Sequence, residues 1–130
     1  MRRGLQLSLI FFASAFLGVA CSDDGETEAD LLGVGAQCVD AEDCLEEQAC
    51  LDQFKGGYCG VEGCTLDEDC PEASACVAHS DGANYCFRIC TDKSECNVNR
   101  DPDNESNCSA NIEFSDPDSA ANKACVPPTG

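Results

Sequence analysis

Apolar residues are distributed very unevenly along this chain. Residues 5–17 form a single run, Leu5, Gln6, Leu7, Ser8, Leu9, Ile10, Phe11, Phe12, Ala13, Ser14, Ala15, Phe16 and Leu17, preceded by Arg2 and Arg3. Beyond it, fifteen large apolar side chains are scattered among cysteines and acids over residues 37–130. A basic start, a short apolar run and the small-residue close Gly18, Val19 and Ala20 predict a secretory signal peptide over residues 1–20. The run is shorter than the roughly 20 residues a membrane-crossing helix needs, and Gln6, Ser8 and Ser14 interrupt it. Two later segments predict β-hairpins. Phe54, Lys55, Gly56, Gly57, Tyr58 and Ser80, Asp81, Gly82, Ala83, Asn84, Tyr85 each contain a dipeptide, Gly-Gly or Asp-Gly, that supplies positive φ in tight turns.

The cysteines organise everything else. Cys38, Cys64 and Cys90 are 26 residues apart, as are Cys44, Cys70 and Cys96. Cys50 and Cys76 keep that period, and Cys59 and Cys86 keep it within one residue. The unit reads Cys-x5-Cys-x5-Cys-x8/9-Cys, and an internal period of this kind indicates tandem copies of one small structure. In the third unit the last two gaps stretch to 11 and 16 residues, ending at Cys108 and Cys125. An acid precedes the second cysteine each time: Asp43, Asp69 and Glu95. Tyr58 and Tyr85 precede the fourth, where their rings are expected to cover the bridges. The predicted units are residues 37–62, 63–88 and an expanded 89–130. The expected fold is small and disulfide-rich: three tandem four-cysteine repeats with short β-hairpins, long loops and little regular secondary structure.

Charge and composition sharpen that picture. The formal net charge is −18, and cleavage after Ala20 removes two arginines and no acid, leaving −20. So few core-forming residues with so much like charge would ordinarily leave a chain disordered. Thirteen cysteines in the 110 residues after Ala20 exceed the roughly 8–10% that marks a disulfide scaffold. A bridge closing a loop of about 15 residues contributes near 3 kcal/mol by constraining the unfolded chain. Nucleic acid is excluded as a partner, because its phosphates would be repelled.

Thirteen is an odd number, and Cys21 stands apart from the repeats. Directly after Gly18, Val19 and Ala20, it resembles the lipobox of bacterial lipoproteins, although Gly18 occupies a position where that pattern prefers Leu. The resemblance implies that Cys21 is acylated and becomes the mature N-terminus, which leaves twelve cysteines to pair. Residues 21–36, with Asp23, Asp24, Glu26, Glu28 and Asp30, read as an acidic tether reaching roughly 20 Å. The unit Cys64, Thr65, Leu66, Asp67, Glu68, Asp69, Cys70, Pro71, Glu72, Ala73, Ser74, Ala75, Cys76 resembles the cysteine-rich repeats of secreted bacterial lipoproteins. It is also similar to the Dickkopf N-terminal and EB-type modules of extracellular proteins. That resemblance implies a small extracellular module, and a pairing of first with third and second with fourth cysteine in each unit. The expected location is the cell envelope, lipid-anchored at the outer membrane or secreted.

Catalytic chemistry is sparse. His79 is the only histidine and lies beside Ser80 on a predicted hairpin tip, as an exposed polar turn would. No nucleophile elbow, zinc-protease helix or phosphate-cradling loop occurs, so the chain reads as a non-enzyme without a cofactor. Zinc sites favour cysteine pairs two to four residues apart, and only Cys86 and Cys90 approach that spacing, which leaves no expected metal site. Asp101, Asp103 and Glu105 alternate as calcium ligands do, but Ser106 and Ile112 stand where a calcium loop requires Gly and a bidentate acid. The function this supports is a surface-tethered binding or structural module, held to the membrane by its lipid. Polar loops of the third unit, residues 97–111 and 115–122, would contact an extracytoplasmic protein or glycan. Alternatives are a protease inhibitor presenting Lys55 or Arg88, and a calcium-stabilised adhesion module.

Overall fold

The structure, a computed structural model, describes residues 33–130. The predicted signal peptide, the lipidation candidate Cys21 and residues 22–32 of the expected tether lie outside the described residues. Each cysteine unit opens with a short 3-10 turn built by the acid that precedes its second cysteine. The Asp43 carboxylate accepts backbone N–H bonds from Val39 (2.8 Å) and Asp40 (3.4 Å). Asp69 does the same with Thr65 (2.8 Å) and Leu66 (3.1 Å), and Glu95 with Thr91 (2.8 Å). These carboxylates satisfy the donors that a helical turn leaves unpaired at its start. The turns are Ala41–Asp43, Asp67–Asp69 and Glu95–Asn97.

A two-stranded element follows in each unit. Strand β1 (Ala49–Cys50) pairs with β2 (Cys59–Gly60), and β3 (Ser74–Ala78) pairs with β4 (Asn84–Arg88). In the third unit β5 (Asn107–Ser109) pairs with β7 (Ala124–Val126), with β6 (Glu113–Phe114) between them in sequence. All pairs are antiparallel, and all three place the third and fourth cysteines opposite each other: Cys50 with Cys59, Cys76 with Cys86, Cys108 with Cys125. Each opposed pair is stapled back to the first half of its unit. The bridges are Cys38–Cys50, Cys44–Cys59, Cys64–Cys76, Cys70–Cys86, Cys90–Cys108 and Cys96–Cys125. First joins third and second joins fourth throughout. The stretched third unit keeps the same internal geometry as the other two.

Its extra residues run back to the earlier units. Residues between Cys96 and Cys108 carry Arg100 into the first unit. The Arg100 guanidinium donates to the carbonyls of Gly57 (2.8 Å), Lys55 (2.8 Å), Gly35 (3.1 Å) and, from Nε, Asn104 (2.8 Å). Gly57 meets this contact in a left-handed conformation (φ +69°), and a Cβ there would lie 2.1 Å from the Cys38 carbonyl oxygen. Only glycine fits. Residues between Cys108 and Cys125 supply β6, which adds to the free side of β3 and makes the strand order β4-β3-β6. They also supply the turn Pro117–Ser119, where the Ser119 hydroxyl donates to Asp67. The tail returns to the first hairpin, with Lys55 N–H donating to Pro128 (2.8 Å) and Thr129 bridged to Phe54.

The apolar core lies between the units. Val34, Leu51, Phe54, Tyr58, Val77, Tyr85, Phe87 and Ala124 form one buried cluster, while the cysteines form two separate ones. Phe54 and Tyr85 meet edge to face at 5.2 Å, as do Tyr58 and Phe87, whereas Tyr85 stacks on Phe87 at 5.8 Å. The expectation that Tyr58 and Tyr85 cover the bridges is therefore corrected: large rings bury more apolar area against one another than a lone bridge offers. The tether boundary also shifts. Val34 is buried, Gly35 N–H donates to Cys59 O (2.9 Å) and Cys59 N–H to Ala36 O (2.9 Å), so Val34, Gly35 and Ala36 belong to the domain.

Candidate functional site

The sequence-derived candidates separate when placed on this fold. Lys55 stands at the tip of the first hairpin, but its N–H donates to Pro128, its carbonyl accepts from Arg100, and its ammonium donates to Asp103 O (2.7 Å). Arg88 closes β4 opposite Ser74, with its N–H donated to the Tyr58 hydroxyl (3.3 Å). A substrate-like inhibitor loop needs its backbone free to pair with the protease. Both positions spend theirs inside the fold.

The calcium candidates diverge as well. Asp101 accepts from the Gln37 amide (2.8 Å), Glu105 pairs with Lys93, and Asp103 is engaged through its carbonyl. Among the described residues, the groups of three potential ligand atoms that do approach one another are sulfurs: Cys38, Cys44, Cys59; Cys64, Cys70, Cys86; and Cys90, Cys96, Cys125. All nine sulfurs are bonded in disulfides and offer no thiolate. The two polar loops expected to recognise a partner are anchored to the other units, one through Arg100 and its carbonyl cage, the other through the bonds of Asp116 and Ser119 to the second unit, while residues such as Asn99, Asp103 and Asp118 stay exposed.

His79 departs from its expected role. Its side chain is only 11% exposed, and the ring packs edge-on to Phe54 (5.3 Å) and Tyr85 (5.7 Å) while Nδ1 lies 3.2 Å from Asp81. The Tyr85 hydroxyl donates to Asp81 (2.8 Å) and accepts from the Gln53 amide (2.9 Å). The Ala83 N–H (3.0 Å) holds the Asp81 carboxyl below its ordinary range, with the Tyr85 hydroxyl and His79 adding to the effect. Burial pushes the Tyr85 phenol up, and Asp81 pushes it further. The turn is a knot of hydrogen bonds closing the end of the aromatic core.

Beside that knot lies a groove of about 410 Å³ where the second and third units meet. Val77 and Phe87 form its floor, Ile112 and Val126 its third-unit wall, and His79, Ser80, Asn111 and Glu113 its polar lining. Position in the fold creates it. The turn after β3 supplies His79 and Ser80, the segment leading into β6 supplies Asn111 and Ile112, and β7 supplies Val126. The sequence-based reading missed Ile112, Glu113, Phe87 and Val126 as one site. A signal was present in the alternation Ile112, Glu113, Phe114, an apolar-polar-apolar triplet between two polar stretches, which is the pattern of a half-buried strand.

The chain matches no protein-family model, no curated protein and no solved structure. Its disulfides, short strands and interlocked units are compatible with a structural or binding module. Among the described residues no helix is long and apolar enough to cross a membrane.

Proposed function

We propose that this chain is a non-catalytic binding module of the cell envelope, exported by its signal peptide and held at the membrane through an acylated Cys21. One observation carries the reading: twelve cysteines are consumed in six bridges, so the chain is a rigid covalent frame for an oxidising compartment. Two of the polar groups that could do chemistry are held by that frame. His79 is wedged among aromatic rings, and Arg100 is caged by carbonyls. A frame of this kind presents a surface whose shape does not relax on contact, which lowers the entropic cost of binding. The resemblance to secreted lipoprotein repeats points the same way.

Mass spectrometry of the mature native protein tests both halves. The expected result is an N-terminal Cys21 carrying a diacylglyceryl group and a mass lower than the reduced chain by twelve hydrogens. An unmodified N-terminus at residue 21 would remove the anchor, and alkylatable thiols other than Cys21 in the unreduced protein would remove the frame.

A further inference from the structure

Resting on the reading above, we infer that the groove between the second and third units seats one apolar side chain of a partner protein segment flanked by basic residues. The floor sets the first half of that specificity. Half-buried Ala78, Ile112 and Val126, with buried Val77 and Phe87 behind them, give the groove of about 410 Å³ its apolar side, large enough for a leucine or phenylalanine side chain, and His79, Ser80, Asn111 and Glu113 form its polar side. Charge sets the second half. Glu113 is exposed at the rim and meets no cation among the described residues. Among the described residues no lysine or arginine lines the groove.

The surroundings reinforce that sign. Residues 33–130 carry twenty acids against five bases. Of those bases Arg100 is buried, Lys93 pairs with Glu105 and Lys55 donates to Asp103. A second copy of this chain would be repelled, as would an anionic lipid surface. A basic segment is drawn in, and its apolar residue is desolvated against Ile112 and Val126.

Titrating the 15N-labelled, fully oxidised domain with the peptides Lys-Lys-Xaa-Lys-Lys, where Xaa is Leu, Phe or Ser, tests this by NMR. Leu and Phe peptides should shift the amides of His79, Ser80, Ile112, Glu113 and Val126, and the Ser peptide should bind about ten-fold more weakly. Glu113→Gln should weaken the Leu peptide about two- to five-fold at low salt, leaving the spectrum otherwise native. Ile112→Ser should abolish the preference for Leu over Ser. Equal shifts by all three peptides, scattered over the acidic surface, would overturn the inference in favour of unspecific charge attraction. Leu-selective shifts at another location would overturn the groove while leaving the binding module standing. Binding by neutral oligosaccharides at the groove would replace the peptide with a glycan, and no response to any probe would count against both.

Discussion

The guanidinium of Arg100 lies over the ring of Tyr58, 5.8 Å from its centroid, and joins the third cysteine unit to the first without a carboxylate partner among the described residues. In a chain with so many acids, its main-chain contacts are carbonyls of Lys55, Gly57, Gly35 and Asn104. Burial pulls its pKa down, with Tyr58 opposing, yet an arginine remains charged. The planar fork reaches several carbonyls at once, which a lysine ammonium cannot do.

Removing that fork should be costly. Arg100→Ala leaves buried carbonyls without donors, and Arg100→Lys restores only part of the set, so we expect losses of about 3 and about 2 kcal/mol. Equilibrium unfolding in guanidinium chloride, followed by tyrosine near-ultraviolet dichroism with all bridges intact, measures both. A loss below about 0.5 kcal/mol for the alanine variant would show the cage to be incidental.

Among the described residues two non-glycines adopt the left-handed conformation, Glu47 (φ +71°) and Ala73 (φ +62°). They occupy equivalent places, three residues after the second cysteine of units one and two. Such a backbone costs an L-residue roughly 1–2 kcal/mol, partly offset by the entropy glycine would add to the unfolded chain. Glu47→Gly and Ala73→Gly should each stabilise by about 0.5 kcal/mol, and valine at either place should destabilise by more than 1 kcal/mol. Thermal unfolding midpoints of the four variants, compared with the parent, decide the matter.

The bridges should rank by the loops they close. Cys96–Cys125 spans 29 residues and Cys38–Cys50 spans 12. Constraint of the unfolded chain predicts losses of about 4 and about 3 kcal/mol on replacing each pair with alanine. Cys125 is also fully buried, so its loss adds a cavity that widens the difference. Denaturation midpoints of the two paired variants test the order, and the reverse order would contradict the loop argument.

The acid limb of the pH profile follows from hydrogen bonding and the alkaline limb from burial. Backbone N–H bonds from Thr65 and Leu66 depress Asp69, and the Ser94 hydroxyl and N–H depress Asp92. A depressed carboxyl stabilises the fold above its unfolded pKa of about 3.9, and that contribution disappears as pH falls through the folded value. Tyr58 and Tyr85 are both raised, chiefly by burial, so their contribution is complete below about pH 10 and lost as pH rises through the folded values. Carboxyl 13C shifts should show Asp69 and Asp92 titrating below ordinary aspartates. Phenolate absorbance should stay low through pH 10 and rise only as the fold opens; a two-tyrosine rise centred at 10 would contradict the buried core.

Much of the fold was legible because it is covalent and local. The 26-residue period marks the units, and the acid before each second cysteine marks the turn it caps, since Asp43, Asp69 and Glu95 bond donors three or four residues away. Gly56 and Gly57 marked a hairpin. His79 and the tyrosines were misjudged because local reading cannot see a ring arriving from another unit. The third-unit loops looked like free recognition surface for the same reason: Arg100 and Asp116 are ordinary polar residues until their partners, 43 or more positions away, are known.

Sequence alone determined the units and where each begins, because a cysteine period repeats one small closed structure whatever surrounds it; which cysteines pair within a unit was only implied by the resemblance, and the structure decided it. Tertiary structure decided what the units do to one another. Burying Phe54, Tyr58, Tyr85 and Phe87 together requires surfaces from two units, and only the stretched third unit, reaching back with Arg100 and β6, locks that arrangement. Contacts so distant along the chain depend on how complete surfaces fit, and no local pattern encodes them.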